Sequence, residues 1–321
     1  MKVLITGSNG LVGSEAVNFF RNKGADVIGI DANLRSYFFG IVQPECELKM
    51  DIRDEKAINE LFEKEKFDVI IHTAAQPSHD WSQKEPLTDF DINARGTLIL
   101  LEATRKYCPE ATFIHVSTDK VYGENMVREL KEYRTRYDSM HPFDENLSLD
   151  TSMRSLFGCS KTSADVYVQE YGYYFGMNTA CFRCGCITGR QHAGAEEHGF
   201  LAYLAKCIKE GKLYRIFGYK GKQVRDIIHA YDLVSAFWEF AQKPRIAQVY
   251  NMGGGVMRSV SILEAIDLIE KETKKTAKTE YIEKPRLGDR QWDIHDVNKF
   301  QKHYPNWKYK YSLQDIIKDL C

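Results

Sequence analysis

The chain is short of several things that would have fixed its class at once. No run among its 321 residues approaches the ~18 consecutive apolar residues of a membrane-spanning helix. Net charge is only −1, with Lys and Arg dispersed, so electrostatics gives no reason to expect nucleic acid or an anionic membrane as partner. No internal repeat and no low-complexity tract is present. The first residues read as a strand of the fold and not as a secretion leader, so the cytoplasm is the expected location.

Cysteine is present but unpatterned. Eight residues in a chain of this size do not make a disulfide framework, and a reducing compartment suits them. Cys181, Cys184 and Cys186 cluster on one apolar stretch, TACFRCGCI, where strand alternation sends Cys184 and Cys186 to one face and Cys181 to the other. A structural zinc site wants four ligands and no second Cys/His pair stands at ligand spacing, so no metal is expected.

What is present begins at residue 1. Val3-Leu4-Ile5 is short enough for one buried strand and leads into Gly7, Gly10 and Gly13, after which Leu11 to Lys23 has the periodicity of an amphipathic helix. Such a turn brings helix N–H groups and the helix dipole against a pyrophosphate, with glycine keeping side chains out of the way. A second apolar run ends in Asp31, whose carboxylate suits adenosine ribose hydroxyls and repels a 2′-phosphate, which favours NAD over NADP. Arg35 argues the other way and carries less weight.

Strands and helices then alternate: helix Glu55 to Lys64, strand Asp68 to His72, helix Asp91 to Tyr107, strand Thr112 to Val116, helix Ser155 to Phe175 and strand Asn178 to Ile187. That order predicts an α/β fold with a doubly wound parallel sheet, whose ligands gather beyond the carboxyl ends of its strands. Asp51-Ile52 reads equally as adenine contact or helix cap, Thr73-Ala74-Ala75 allows a ring to approach the backbone, and Tyr37, Phe38 and Phe39 read as packing. Residues 124–151, charged and irregular, read as an insertion over the site or a mobile surface loop. Beyond, helices are expected over Gly199 to Glu210, Ala230 to Gln242, Ser261 to Lys271 and Leu313 to Leu320.

These residues together resemble the extended short-chain dehydrogenase/reductases that act on nucleotide sugars. The carriers are Thr6 to Gly13, Asp31, Asp51-Ile52, Ala74-Ala75-Gln76, Asn93, Ser117-Thr118 before Val121-Tyr122-Gly123, Ser160-Lys161, and Arg225-Asp226 with His229. Within the family the likeness is greatest to the CDP-paratose 2-epimerase branch, on Ser117 to Gly123, Gly158 to Lys161, Gly189-Arg190-Gln191 and Gly221 to Asp226.

The resemblance implies a Rossmann-type sheet with a smaller C-terminal α/β lobe. Residues 1–180 with 227–253 would bind NAD, and 181–226 with 254–321 a nucleotide-diphosphate sugar, a CDP- or UDP-sugar above others. It assigns Gly7, Asn9, Gly10, Leu11, Val12, Gly13, Asp31, Asp51, Ile52, Thr73, Ala74, Ala75, Asn93, Ser117 and Lys161 to the cofactor. Gln76, Cys186, His192, Arg225, Arg286 and Arg290 fall to the substrate, the arginines to its phosphates. Thr118, Lys161, Asp119 and Lys120 fall to the chemistry. A homodimer through helices 91–107 and 155–175 is also implied.

One position departs from the pattern. The family has Tyr-x-x-x-Lys, a phenol whose proton is exchanged with the sugar hydroxyl; here the phenol is replaced by Phe157, followed by Lys161. Thr118, Asp119, Lys120, Cys159, Cys186 and His192 are the groups the sequence offers in its place. The resemblance implies an epimerase, with a dehydratase or oxidoreductase as one alternative and a non-catalytic binding protein, which Phe157 favours, as the other.

Overall fold

The computed structural model describes residues 1–35, 37, 47–124, 129–190, 192, 194, 199–286 and 288–321. Phe38, Phe39 and Gln191 lie outside the described residues. The strands are β1 (Lys2–Thr6), β2 (Asp26–Asp31), β3 (Leu48–Lys49), β4 (Val69–His72), β5 (Thr112–Thr118), β6 (Lys131–Glu132), β7 (Tyr137–Asp138) and β8 (Thr179–Cys184). Then follow β9 (Cys186–Thr188), β10 (Leu213–Phe217), β11 (Val224–His229), β12 (Gln248–Met252), β13 (Ser259–Ser261), β14 (Lys278–Ile282) and β15 (Trp292–Asp293).

Seven of them form one parallel sheet in the order β12-β8-β5-β4-β1-β2-β3. The chain leaves β1 toward β2 and β3 on one side and returns to β4 on the other, which makes the end of β1 the switch point of a doubly wound sheet. Alternation in β1 divides the core: Val3 and Ile5 join Phe19, Phe20, Phe182 and Phe237 on one face, while Leu4 joins Ile70, Phe113, Phe62 and Leu100 on the other. Helices cover both faces, so the strands read as near-continuous apolar runs.

The expected single strand from 178 to 187 is two strands. Cys184 ends β8 in the large sheet, and β9 pairs instead with β11. A Cβ at Gly185 would lie 2.5 Å from His295 Cε1, so the joint between them needs glycine. The smaller lobe is built on β11, which pairs with β13 antiparallel and with β15 and β9 in parallel, and β10 pairs with β14 beside it. Leu204, Ile208, Ile216, Ile262, Ile269 and Ile316 form its core. Phe300, Tyr304 and Trp307 pack in the same core as Phe182 and Phe240 under the large sheet.

The described part of the segment after Gly123 is tied down. Tyr137 N–H donates to Lys222 O at 2.9 Å, Phe143 N–H to Ile294 O at 3.1 Å, and Phe143 is buried with Trp292 and Tyr122. It is a flap fastened to the smaller lobe.

Candidate active site

A cavity of about 520 Å³ opens beyond the carboxyl ends of the sheet, between it and the smaller lobe. Gly7, Gly10, Leu11 and Val12 form one end, at the start of helix Leu11–Asn22. Gly10 caps that helix without any side-chain bond to it. The first-turn N–H groups of Leu11 and Val12, which an α-helix leaves without internal partners, thus stand at the cavity wall. Gly7 has φ +70°, and a Cβ on Gly13 would fall 2.0 Å from Gly7 O, so the turn and the helix can meet only with glycine at both. Gly13 and Asn9 support this cradle from outside the lining.

Asp31 lines the cavity at the end of β2, its carboxylate accepting from Asn9 N–H at 3.0 Å and Asn33 N–H at 2.7 Å. Arg35 lines the same rim. Asp51 and Ile52 follow; burial opposes charge on Asp51, but the Arg53 fork at 3.1 and 2.6 Å holds its carboxyl below the ordinary value. Thr73, Ala74 and Ala75 complete this wall, with Thr73 Oγ1 donating to Thr6 O at 2.7 Å. These surfaces fit a dinucleotide.

The middle of the cavity is lined by Ser117, Thr118, Asp119, Lys120, Phe157 and Lys161. Ser117 Oγ donates to Asp165 Oδ2 at 2.6 Å, and Asp165 receives the Arg183 guanidinium at 2.6 and 3.1 Å. Lys161 Nζ donates to Val116 O at 2.8 Å and meets His115 Nε2 at 3.2 Å. Burial pulls its ammonium down to about 8. Phe157 is buried, with its N–H on Ser82 Oγ and its ring edge-on to His79, which also lines the cavity.

Asp119 is less free than its place in the sequence suggests. Arg290 donates to its Oδ2 at 3.0 Å and to its carbonyl at 3.2 Å, and Thr118 Oγ1 donates to its Oδ1 at 3.1 Å. Burial works against its charge, but Lys120 and Arg290 outweigh burial and keep the carboxyl below the usual range. Lys120 Nζ lies 3.4 Å from Asp293, and Arg225 pairs with Asp289 and with Asp293, whose Oδ2 is 3.4 Å from its Nε. Three cations and three carboxylates thus balance one another at the boundary between sheet and lobe.

The sequence-derived residues divide accordingly. Arg225 and Arg286 line the cavity, Arg286 with its guanidinium 4.3 Å from the Phe217 ring centroid, and Cys186 and His192 line it too. Burial pushes the Cys186 thiol up to about 12, so it stays protonated. Arg290, Gln76 and Asn93 are buried but are not lining residues. Arg290 is absorbed by Asp119 and Asp293 at 3.0 Å each. Gln76 and Asn93 bond to each other and to Asp89, and Asn93 Nδ2 reaches Ser160 Oγ at 3.1 Å, which ties the loop after β4 to helix Ser155–Phe175. His79 and Asp293 line the cavity without having been singled out, and Ser78 caps helix His79–Lys84, whose first residue is His79.

Residues 3–253 match the model of the NAD dependent epimerase/dehydratase family. The chain is 32% identical to the CDP-paratose 2-epimerase of Salmonella typhi, over 100% of this chain and 98% of that protein. It is 25% identical to a dTDP-glucose 4,6-dehydratase of Shigella flexneri, over 99% of this chain and 91% of that one. Among solved structures, the UDP-glucose 4-epimerase of Thermotoga maritima with UDP-glucose superposes with a TM-score of 0.84 at 28% identity, covering 100% of this chain and 97% of that one.

Proposed function

The chain belongs to the NAD-dependent epimerase/dehydratase family, and on that premise we propose that it epimerises a nucleotide-diphosphate sugar through a transient keto sugar. The observation that carries this reading is a single cavity with the glycine cradle and Asp31 at one end, Thr118 and Lys161 in the middle, and Arg225 and Arg286 on the lobe. NAD is the cofactor, and when bound it would supply the hydride acceptor and donor for this chemistry.

The chain's own groups do the rest. The N–H groups at Gly10 to Val12 would hold the dinucleotide pyrophosphate, Asp31 the adenosine ribose, Asp51 and Ile52 the adenine, and Ser117 and Lys161 the nicotinamide ribose. Thr118 would hold the reacting sugar oxygen by its hydroxyl. Arg225 and Arg286 would meet the substrate phosphates, whose two charges suit guanidinium forks. Cys186 and His192 would border the sugar. We assign 1–180 with 227–253 to the cofactor and 181–226 with 254–321 to the substrate, and expect a cytoplasmic homodimer.

Epimerisation is favoured over dehydration because Asp119, the acid a dehydratase would place here, is held as an anion by Lys120 and Arg290 against the pull of burial. The likeness to CDP-paratose 2-epimerase favours a CDP-sugar. A binding protein without turnover is the second reading, favoured by the phenyl ring of Phe157 at the cavity wall.

The test is to purify the protein without added cofactor, release and identify bound nucleotide, and incubate the holoprotein with CDP-, UDP-, GDP- and dTDP-sugars while following NADH absorbance and sugar NMR. Epimer with NAD retained is expected. Binding with neither product nor hydride transfer across the panel would favour the second reading.

A further inference from the structure

Phe157 and His79 face one cavity with ring centroids 5.0 Å apart, edge to face. The phenyl ring stands where the resemblance calls for a phenol, and it has no proton to exchange. An imidazole exchanges one near neutral pH. His79 opens helix His79–Lys84, on the same loop beyond β4 that brings Thr73 to Ala75 to the cavity.

Its ring is held from the far side. His79 Nδ1 lies 2.7 Å from Ser155 Oγ, and the same Oγ accepts from Gly158 N–H at 3.2 Å. Ser155 has φ 65°, a left-handed conformation that side chains avoid, at the first residue of the helix carrying Phe157 and Lys161. Backbone strain of this kind persists where the surroundings demand it. Here it places one hydroxyl as a clamp between the imidazole and the helix that would have borne the phenol.

We propose that His79 is the proton carrier of this site, in place of the phenol missing at Phe157. The proposal rests on the epimerase reading above. In the first half-reaction the sugar O–H proton passes to the imidazole nitrogen opposite Ser155, the O–H electron pair becomes the second C–O bond, and the carbon's hydride leaves to the bound dinucleotide. In the second half the hydride returns to the other face of the carbon, the carbonyl oxygen recovers an electron pair, and the imidazolium gives the proton back. Nδ1–H donating to Ser155 Oγ suits both states of the ring, because that oxygen can accept from Nδ1–H and from Gly158 N–H together. The hollow adjoining the ring carries the charges of Asp80, Asp150 and Arg154. The cavity carries those of Lys161, Arg286 and Asp289 together with Asp119, Lys120, Arg225 and Asp293 in its middle and lobe side, Arg215 on the lobe and Asp31, Arg35 and Asp51 at its cofactor end.

Two measurements test it. In the protein as purified, the imidazole proton resonance that vanishes in His79→Gln should move with pH within the range where an imidazole changes charge, about pH 5 to 8; a resonance that does not move overturns the proposal and leaves the epimerase reading standing. On the sugar that wild-type protein turns over, His79→Gln should lower kcat at least ~100-fold, the lower end of acid–base catalysis, with KM within about threefold and bound NAD unchanged. Adding Phe157→Tyr to that variant should restore turnover through a phenol beside Lys161. His79→Gln activity within about tenfold of wild type, or a double variant no better than the single one, overturns the proposal. A wild-type protein that converts no sugar in the panel instead brings down the epimerase reading, and this inference with it.

Discussion

Lys161 Nζ stands 3.2 Å from His115 Nε2 in a fully buried pair, and the two cations cannot both be charged. Burial first, and Lys161 second, push His115 well below its usual value, so the histidine is neutral and accepts from the ammonium. Burial holds Lys161 to about 8.

The lysine makes stability depend on pH with a definite sign. Its folded value lies below the unfolded one, so between about 8 and ~10.4 the unfolded chain binds the extra proton and stability rises with pH. Wild type should therefore gain on Lys161→Met by on the order of 3 kcal/mol as pH rises across that window. Urea unfolding of both proteins at about pH 7.5 and about pH 11, roughly half a unit outside those limits, measures the difference.

Arg290 should behave as the keystone of the charge cluster. It is buried against Asp119 and Asp293, each 3.0 Å away, and its removal strands two buried carboxylates. Arg290→Met should cost about 3–5 kcal/mol at neutral pH. Burial opposes charge on Asp293, but Arg290, Lys120 and Arg225 together hold its carboxyl far below the ordinary range. Folded values below the unfolded ones mean that the cluster's contribution is present above about pH 4 and is lost as pH falls further. In Arg290→Met the carboxyls are released upward, so acid unfolding should begin at higher pH, as circular dichroism against pH would detect.

Gly13→Ala tests the cradle by sterics alone. The added methyl would sit 2.0 Å from a backbone oxygen, that of Gly7, which has no rotamer by which to retreat. A loss of about 1–3 kcal/mol in urea unfolding is expected, together with loss of NAD from the purified protein, read as the ratio of absorbance at cofactor and protein wavelengths.

The sheet was legible because its strands are short apolar runs ended by Gly, Asp or Ser, as at Val3-Leu4-Ile5 before Gly7 and at Asp26 to Asp31. β11 was not, because VRDIIH carries three ionisable groups and yet is buried throughout. Arg225 finds Asp289 and Asp293, Asp226 finds His295 at 2.8 Å, and His229 finds Asp319 at 3.3 Å, partners 64 to 90 residues away that no local pattern announces. Arg290 misled for the same reason, since only the fold brings Asp119, 171 residues earlier, within reach. His79 was passed over because no local pattern marks it; only the fold sets its ring against that of Phe157, 78 residues later.

The remaining prediction concerns assembly. Helix Ser155–Phe175 buries Phe157, Lys161, Ala164, Asp165 and Val168 but leaves Val166, Tyr167, Tyr173 and Tyr174 exposed, from 39% for Val166 to 80% for Tyr174. Spacings of one, seven and eight residues put these four on one side of a helix, a ridge of aromatic surface of the kind that marks an interface. The neighbouring helix Gly96–Tyr107 presents Glu102 and Arg105 to solvent, bound to each other at 2.8 and 2.9 Å, so the apolar contact would come mainly from the longer helix. We expect a homodimer in solution, with Tyr167→Glu combined with Tyr174→Glu converting it to monomer while the urea midpoint of the monomer stays close to that of wild type. Sedimentation velocity over a hundredfold concentration range decides it: a wild-type protein that sediments as a monomer throughout would remove the dimer from the account.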